Sequence, residues 1–346
     1  DIELNSNNNI LISNTGTSTT IYGISLISGA DNNTLTNNTG TSTTGTGIYI
    51  DSSSNNSLTN NIGTSTRNTG IRLTTTSNNN NFINNTASGN ISIFVTTNSN
   101  NNNFTNNTLI GDTGFEINSS TNITVTNSSF QNTNWSIKAA LGSNFSLIDN
   151  ERMTNYSFNR TPRDTITKPG NASVPFIGIV QANGTNLSMD VNLTTNSIHV
   201  NTSRSPGFNV TANLTFEDAK SQILLVDLYD NNSFQRCDPP QCTLLRGPAG
   251  INLTFNVSSF SEYVTDSPPN ISTVILNSST GRNLTTENLT AFANSISDIN
   301  NDSVSVNYDW RLNGSSIAVL NLPMTAPFNN GSRNLTFDMS SFGNVG

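Results

Sequence analysis

Seven variants of one short phrase run through the first 150 residues: NNNILIS, NNTLTNN, NNSLTNN, NNNFINN, NNNFTNN, TNITVTN and SNFSLID. Their central apolar residues are Ile12, Leu35, Leu58, Phe82, Phe104, Val125 and Leu147, roughly 21–24 positions apart, a period that marks a solenoid. A second series keeps step with the first: Ile2/Leu4, Ile24/Leu26, Ile48/Ile50, Ile71/Leu73, Ile91/Ile93, Phe115/Ile117 and Trp135/Ile137. Residues two apart point to the same side of an extended strand. Each repeat therefore holds at least two short strands, separated by polar corners of Asn, Gly, Ser and Thr. Asn suits such corners because it tolerates left-handed backbone angles and stacks in ladders. The L-x-x-L-x-L-x-x-N/C frame of leucine-rich repeats is missing. A parallel β-helix is expected, stacking its coils to bury a narrow column of Leu, Ile and Phe that no single coil could bury alone.

The pattern resembles the right-handed parallel β-helix repeats of pectate-lyase-like and NosD-like families over residues 1–150. The resemblance implies an architecture more than a function. A β-helix that cleaves polysaccharide needs carboxylates or a base clustered on one outer face. The outward position within each pair reads Glu3, Ser25, Tyr49, Arg72, Ser92, Glu116 and Ser136, with no two carboxylates adjacent. Asp31, Asp51, Asp112 and Asp149 fall at corners, as ordinary turn residues do. The single histidine, His199, lies outside the repeats, so neither a His-based triad nor a His-rich metal site can be built there. The copper-related roles of NosD-like relatives find no His, Cys or Met cluster to support them. Sugar binding without chemistry, through Tyr49 and Arg72, stays open. Thr17-Ser-Thr19, Thr41-Ser-Thr43 and Thr64-Ser-Thr66 each follow Gly and would stack at about 4.8 Å per coil into a T-x-T ladder. That ladder resembles those of ice-binding β-helices, but it dissolves at Ala87-Ser-Gly89. It reads first as a polar corner ladder open to O-glycosylation, and only second as an ice- or mineral-binding surface.

Composition sharpens the picture through one excess. The chain holds 32 N-x-[S/T] sequons, against about 17 expected from random mixing of its Asn, Ser and Thr. In the repeats the candidate N-glycosylation sites are Asn32, Asn37, Asn55, Asn84, Asn90, Asn103, Asn106, Asn118, Asn122, Asn127, Asn134 and Asn144. Asn155, Asn159 and Asn171 follow, then Asn183, Asn186, Asn192, Asn201, Asn209, Asn213, Asn231, Asn252 and Asn256. The last stretch adds Asn270, Asn277, Asn283, Asn288, Asn301, Asn313, Asn330 and Asn334. Many carry an apolar middle residue, as in Asn103-Phe-Thr or Asn252-Leu-Thr. On a strand this turns the apolar residue inward and leaves Asn and Thr facing solvent. The bland alternative is that Asn and Thr merely fill the solenoid surface, but the excess persists beyond residue 150. Glycosylation would place the chain outside the cytoplasm. The formal net charge is −8 with a pI near 4.5, which argues against a nucleic-acid partner.

The repeat stops near residue 150. Residues 151–171 gather Arg152, Arg160, Arg163 and Lys168 with Pro162 and Pro169, and read as a cap and connector over the open end of the solenoid. Over 172–266, longer alternating strands at 208–216, 223–229 and 251–257 predict an antiparallel β-sandwich. Cys237 and Cys242 bracket Asp-Pro-Pro-Gln; two cysteines alone in an extracellular chain predict a local disulfide pinning a hairpin tip. Ser267-Pro-Pro269 reads as a stiff linker. Beyond it Val304, Val306, Tyr308, Trp310 and Leu312 alternate with polar residues as a strand, and Asn313-Gly314 offers a tight turn into 317–320. This stretch resembles immunoglobulin-like repeats of polycystic-kidney-disease type from archaeal and bacterial surface proteins, with Trp310 as core aromatic. The resemblance implies a second sandwich over 267–346 that needs a further strand or two, from more chain or from a neighbour. Asp298, Asn300 and Asp302 alternate oxygen ligands as calcium loops do. Asn301 is itself a sequon and no bidentate Glu follows, so a solvated acidic turn comes before calcium.

The expected fold class is all-β: a right-handed parallel β-helix solenoid followed by two antiparallel, Ig-like β-sandwich domains. No apolar stretch is long enough to span a membrane, and no signal peptide is visible. The start at Ile2-Glu-Leu4, in mid-coil by comparison with Ile71-Arg-Leu73, suggests a removed leader or a longer protein. The whole resembles archaeal surface-layer and appendage glycoproteins. That implies a non-enzymatic, extracellular structural protein whose partners are copies of itself, joined head-to-tail, and surface glycans. A secreted carbohydrate-binding or polysaccharide-acting β-helix protein is the alternative.

Overall fold

The computed structural model describes residues 1–131, 134–150, 153–217, 224–227, 234–246, 252–265, 270–278, 280–282, 289–297, 304, 306, 308–312, 315–316, 328–329 and 334–335. Two compact units divide the chain, Asp1–Asp266 and Ser267–Gly346. The first begins with about seven coils of parallel β-solenoid. Each coil has three strands, one more than the two that the apolar series locate. The first sheet stacks Ile10–Ile12, Thr34–Thr36, Ser57–Thr59, Asn81–Ile83, Asn103–Thr105, Ile123–Thr126, Phe145–Ile148 and Thr165–Lys168. The third sheet stacks Tyr22–Ile27, Thr46–Asp51, Thr69–Thr74, the later halves of Thr86–Thr96 and Thr108–Asn118, Trp135–Ala139 and Tyr156–Pro162.

Between them lies the strand series that hydrophobic pattern alone does not reveal: Thr15–Ser18, Thr39–Ser42, Ile62–Ser65, the early parts of the two long strands, and Ser129–Gln131. Its inward column reads Gly16, Gly40, Gly63, Ala87, Leu109 and Phe130 in register. In the early coils that position carries no side chain, so no apolar residue announces a strand. The cause is close approach: a Cβ on Gly40 would collide with the carbonyl oxygen of Gly47 and press on Ile48. Toward the later coils the same column grows from Gly through Ala and Leu to Phe. The first residues of the three T-x-T motifs, Thr17, Thr41 and Thr64, pair on this sheet's outer face rather than at a corner.

Leu35, Leu58, Phe82, Phe104, Val125 and Leu147 are buried as the spacing predicts, each contributing about 1.5–3 kcal/mol of apolar burial. Phe82 and Phe104 stack with centroids 4.6 Å apart. Four positions differ from the sequence expectation. Leu11, not Ile12, pairs with Leu35, and Ile12 is 60% exposed. Ile2 pairs with Leu26, while Leu4 takes a left-handed turn conformation, φ 52°, and is 75% exposed. The inward pairs of the later coils are Ile93/Val95 and Ile137/Ala139, aligned with Ile71/Leu73 and Phe115/Ile117. Ile91 and Trp135 sit two residues earlier, on the column of Thr69 and Thr113.

The corners explain the asparagines. One ladder runs Asn14, Asn38, Asn61, Asn85, Asn107: each backbone N–H donates to the side-chain Oδ1 of the next coil, at 2.8–2.9 Å. It continues through Ser128 to Asn150. The amide nitrogens of Asn61, Asn85 and Asn107 donate back to Leu35, Leu58 and Phe82 carbonyls. Asn33, Asn56, Asn80 and Asn102 form a second ladder of the same sense. From Asn33 to Asn107 these asparagines are buried, and burial of a polar group favours pairing; the amide nitrogens of Asn33 and Asn56 are the exceptions, without a partner among the described residues.

Parallel pairing continues past residue 150. Tyr156–Pro162 and Thr165–Lys168 add strands to the third and first sheets, so 151–171 completes a coil as well as connecting. Antiparallel strands then grow from the same sheets: Ala172–Pro175, Ala212–Glu217, Asn252–Val257 and Cys242–Arg246 on one, Ile179–Gly184 on the other. A separate antiparallel sheet orders Val191–Leu193, Ser197–Val200, Glu262–Thr265, Leu224–Asp227 and Gln235–Arg236. Among the described residues, helix is confined to Leu187–Asp190 and a 3-10 turn at Pro206–Phe208. An aromatic chain of Phe145, Phe158, Phe208, Phe176, Phe260 and Tyr263 binds the solenoid end to these sheets, centroids 4.8–6.5 Å apart.

In the second unit Asn270–Ser278 pairs antiparallel with Leu289–Ser297. Within the expected strand over 304–312, Arg311–Leu312 is a strand paired with Ser315–Ser316, and 305 and 307 lie outside the described residues. Asn313-Gly314 and 317–320 lie outside the described residues.

Candidate binding face and modification sites

Alternation on the third sheet turns every second residue outward, toward solvent from Tyr49 on, while Ser25 at the first coil is covered by Asp1, to which its hydroxyl donates. The outward column, by register, is Ser25, Tyr49, Arg72, Phe94, Glu116 and Lys138. Ser92 and Ser136, expected in it, are instead fully buried, because the inward pairs of those coils are Ile93/Val95 and Ile137/Ala139, two residues later than Ile91/Ile93 and Trp135/Ile137 imply. Even spacing was the available signal: 25, 49, 72, 94, 116 and 138 are 22–24 residues apart. The correction changes the chemistry, replacing two serines by an aromatic ring and a cation.

These side chains stack along the solenoid axis. Tyr22 and Tyr49 lie face to face, centroids 3.9 Å apart and 5° from parallel. The Arg72 guanidinium lies over the Phe94 ring at 5.3 Å, and the Lys138 ammonium over the Trp135 ring at 4.9 Å, both within cation–π range. Arg72 Nε is buried without a hydrogen-bond partner. Burial, reinforced by the Tyr22 hydrogen bond and the Asp51 carboxylate, pushes the Tyr49 phenol above its ordinary range. Burial likewise raises Glu116, and Lys138 on the next coil partly offsets it.

The sequons fall into two structural groups. Asn32, Asn37, Asn55, Asn84, Asn106, Asn122 and Asn127 occupy left-handed corner positions, φ 44–58°, on the corners flanking the first sheet. In the Asn-Asn-Thr/Ser triplets the first Asn turns the corner, the second is a buried ladder rung, and the hydroxyl residue opens a strand. Asn60-Asn61-Ile62 and Asn79-Asn80-Asn81 keep that architecture without the acceptor hydroxyl. Corner geometry therefore accounts for part of the sequon excess in the solenoid. It does not account for Asn183, Asn192, Asn213, Asn252 or Asn256 beyond it. Every sequon asparagine whose side chain is described is at least partly exposed. Several tie up their amide nitrogen: Asn90 donates to the Arg67 carbonyl, Asn122 to Asn101, Asn127 to Asn106 and Asn134 to Asp112. Asn231, Asn283, Asn288, Asn301, Asn313 and Asn330 lie outside the described residues, as do the candidate calcium ligands Asp298, Asn300 and Asp302.

Cys237 and Cys242 are disulfide-bonded, Cα atoms 5.5 Å apart. The flanking strands Gln235–Arg236 and Cys242–Arg246 belong to different sheets. The bond therefore closes the crossing between two sheet edges and not the tip of a hairpin. His199 lies opposite Glu262 on neighbouring strands.

Residues 2–94 match a family described as Periplasmic copper-binding protein (NosD). No curated protein matches the chain. The match covers the early coils and supports their β-solenoid architecture. Copper is a separate question of donor chemistry. Residues 2–94 contain no His, Cys or Met, the side chains copper prefers. No group of three or more His, Cys, Asp and Glu among the described residues could hold a metal ion. The residues present do not fit copper. No helix among the described residues is long and apolar enough to cross a membrane.

Proposed function

We propose that this chain is a non-enzymatic, heavily N-glycosylated structural protein of the cell surface. It serves as subunit of an extracellular filament, appendage or S-layer of archaeal type, assembling by repeated head-to-tail contacts. In this reading 172–266 forms a β-sandwich and 267–346 an Ig-like one. The observation that carries it is the accessibility of the sequon asparagines on solenoid and sandwich alike, including those that no corner requires. The outer faces of the described coils bring no pair of carboxylates together, which favours a scaffold over a hydrolase. Intact mass with peptide mapping, beside electron microscopy of the same preparation, tests it. The expected result is a mass many kilodaltons above 37.0 and regular polymers; a bare, monomeric chain overturns the proposal.

One observation favours the alternative, a carbohydrate-binding adhesin: the aromatic and cationic strip through Tyr49, Arg72, Phe94 and Trp135. Glycan-array binding that Arg72→Ala abolishes would support it.

A further inference from the structure

We propose that the outer face of the third sheet is a two-fold, antiparallel contact between two copies of this chain. The inference rests on the self-assembly reading above and adds a lateral contact that head-to-tail joining cannot supply. Order along the axis carries the argument. Successive coils present Tyr49 with Asp51 beside it, then Arg72, Phe94, Glu116 and Lys138, each in register with the next. Reversal about Phe94 exchanges Arg72 with Glu116, and Tyr49 and Asp51 with Lys138. A second copy laid antiparallel across this face therefore sets each Arg72 opposite the partner's Glu116. Each Lys138 meets the partner's Asp51 and Tyr49, and Phe94 meets its own symmetry mate. At about 4.8 Å per coil the strip spans about 19 Å.

This self-complementarity is what an isologous interface requires. The side chains already point to unfinished business. Arg72 forms no ion pair among the described residues, and its Nε is buried without a partner. Glu116 has Lys138 on the neighbouring coil, but no ion pair joins them within the described residues. Tyr and Arg are among the residue types that dominate interface energetics, and here they share one outward column with Phe94. The column itself contains no sequon, but Asn90, Asn118 and Asn134 border the third sheet, so the contact requires these three to stay unmodified.

The test uses the full-length protein with its native disulfide. Phe94→Cys is expected to form a disulfide-linked dimer on mild oxidation, since the new thiol meets its own copy at the two-fold axis. Thr59→Cys, on the outer face of the first sheet, serves as control and stays monomeric. Arg72→Glu and Glu116→Arg each place like charges across the contact and weaken association, read by sedimentation, at least about tenfold. The double variant exchanges the pair and restores association. A Phe94→Cys protein that cross-links no better than the control overturns the proposal, as does a double variant no better than either single. Wild-type polymers that ignore both sets of variants leave the assembly reading standing and place its contacts elsewhere. A bare wild-type monomer removes both.

Discussion

Adjacent asparagines in one triplet do unlike work, and their substitutions separate accordingly. Asn84 holds a left-handed corner, φ 54°, with its side chain exposed; Gly adopts that conformation freely, so Asn84→Gly is expected to change stability by well under about 1 kcal/mol. Asn85 is 1% exposed; its Oδ1 accepts from the Asn61 backbone N–H and its amide donates to the Leu58 carbonyl. Asn85→Ala leaves both groups unpaired in the interior, at an expected cost of about 2 kcal/mol or more. Urea denaturation of the two variants decides this, and equal losses would sink the ladder argument. Asp164 stands in the second ladder's place in the last coil, accepting from the Phe145 N–H at 3.3 Å and from the Thr161 hydroxyl. Burial pushes its carboxyl up to about 7, against the pull of the Thr161 and Phe145 hydrogen bonds. The folded protein thus holds this proton more tightly than the unfolded chain. Its contribution is complete below about pH 4 and is lost as pH rises through about 7. Asp164→Asn keeps the acceptor and removes the charge. The variant should match wild type near pH 4 and exceed it by about 1 kcal/mol or more at pH 8; a difference that does not vary with pH would refute the assignment.

Strands were legible where their inward residue was large, and hidden where it was small. Leu35, Leu58 and Phe82 announced the first sheet, but Gly16, Gly40 and Gly63 gave the second sheet no apolar signal at all. The same smallness makes it brittle. In Gly40→Ala the added methyl meets the Gly47 backbone and Ile48, neither of which can yield without opening the coil. Overpacking of this kind costs about 1–3 kcal/mol, whereas the same column at Ala87 already holds a methyl. Thermal melts of Gly40→Ala against Ala87→Gly test the point: the first should lose stability by overpacking, and an unchanged melt would show that the sheets can part. The binding face was half legible. Tyr49 and Arg72 stood out from the sequence, but Phe94 and Lys138 did not, because the pairs Ile91/Ile93 and Trp135/Ile137 imitate the inward register two residues early. The disulfide partners were readable from their number and their role was not, since nothing in Asp-Pro-Pro-Gln says that its flanking strands enter different sheets.

The sequence change near residue 150 marks where the phrase ends, not where the folded body ends. Thr165–Lys168 continues the first sheet in parallel and Ala172–Pro175 turns it antiparallel without a break in hydrogen bonding. Phe145 packs on Phe158, and through it the aromatic chain reaches Tyr263. Leu147 pairs with Ile166 of the next strand and is 2% exposed. A fragment of residues 1–150 would bare that apolar end together with the unpaired edges of Trp135–Ala139 and Phe145–Ile148, a template for aggregation. A fragment of residues 1–266 keeps every one of those contacts inside one compact unit. The longer fragment is therefore expected to be soluble, with a single cooperative unfolding transition. The shorter one should aggregate or bind an apolar dye strongly. Equal solubility and equal melting of the two would mean that the solenoid stands on its own and that the strands after residue 150 are attached to it without capping it.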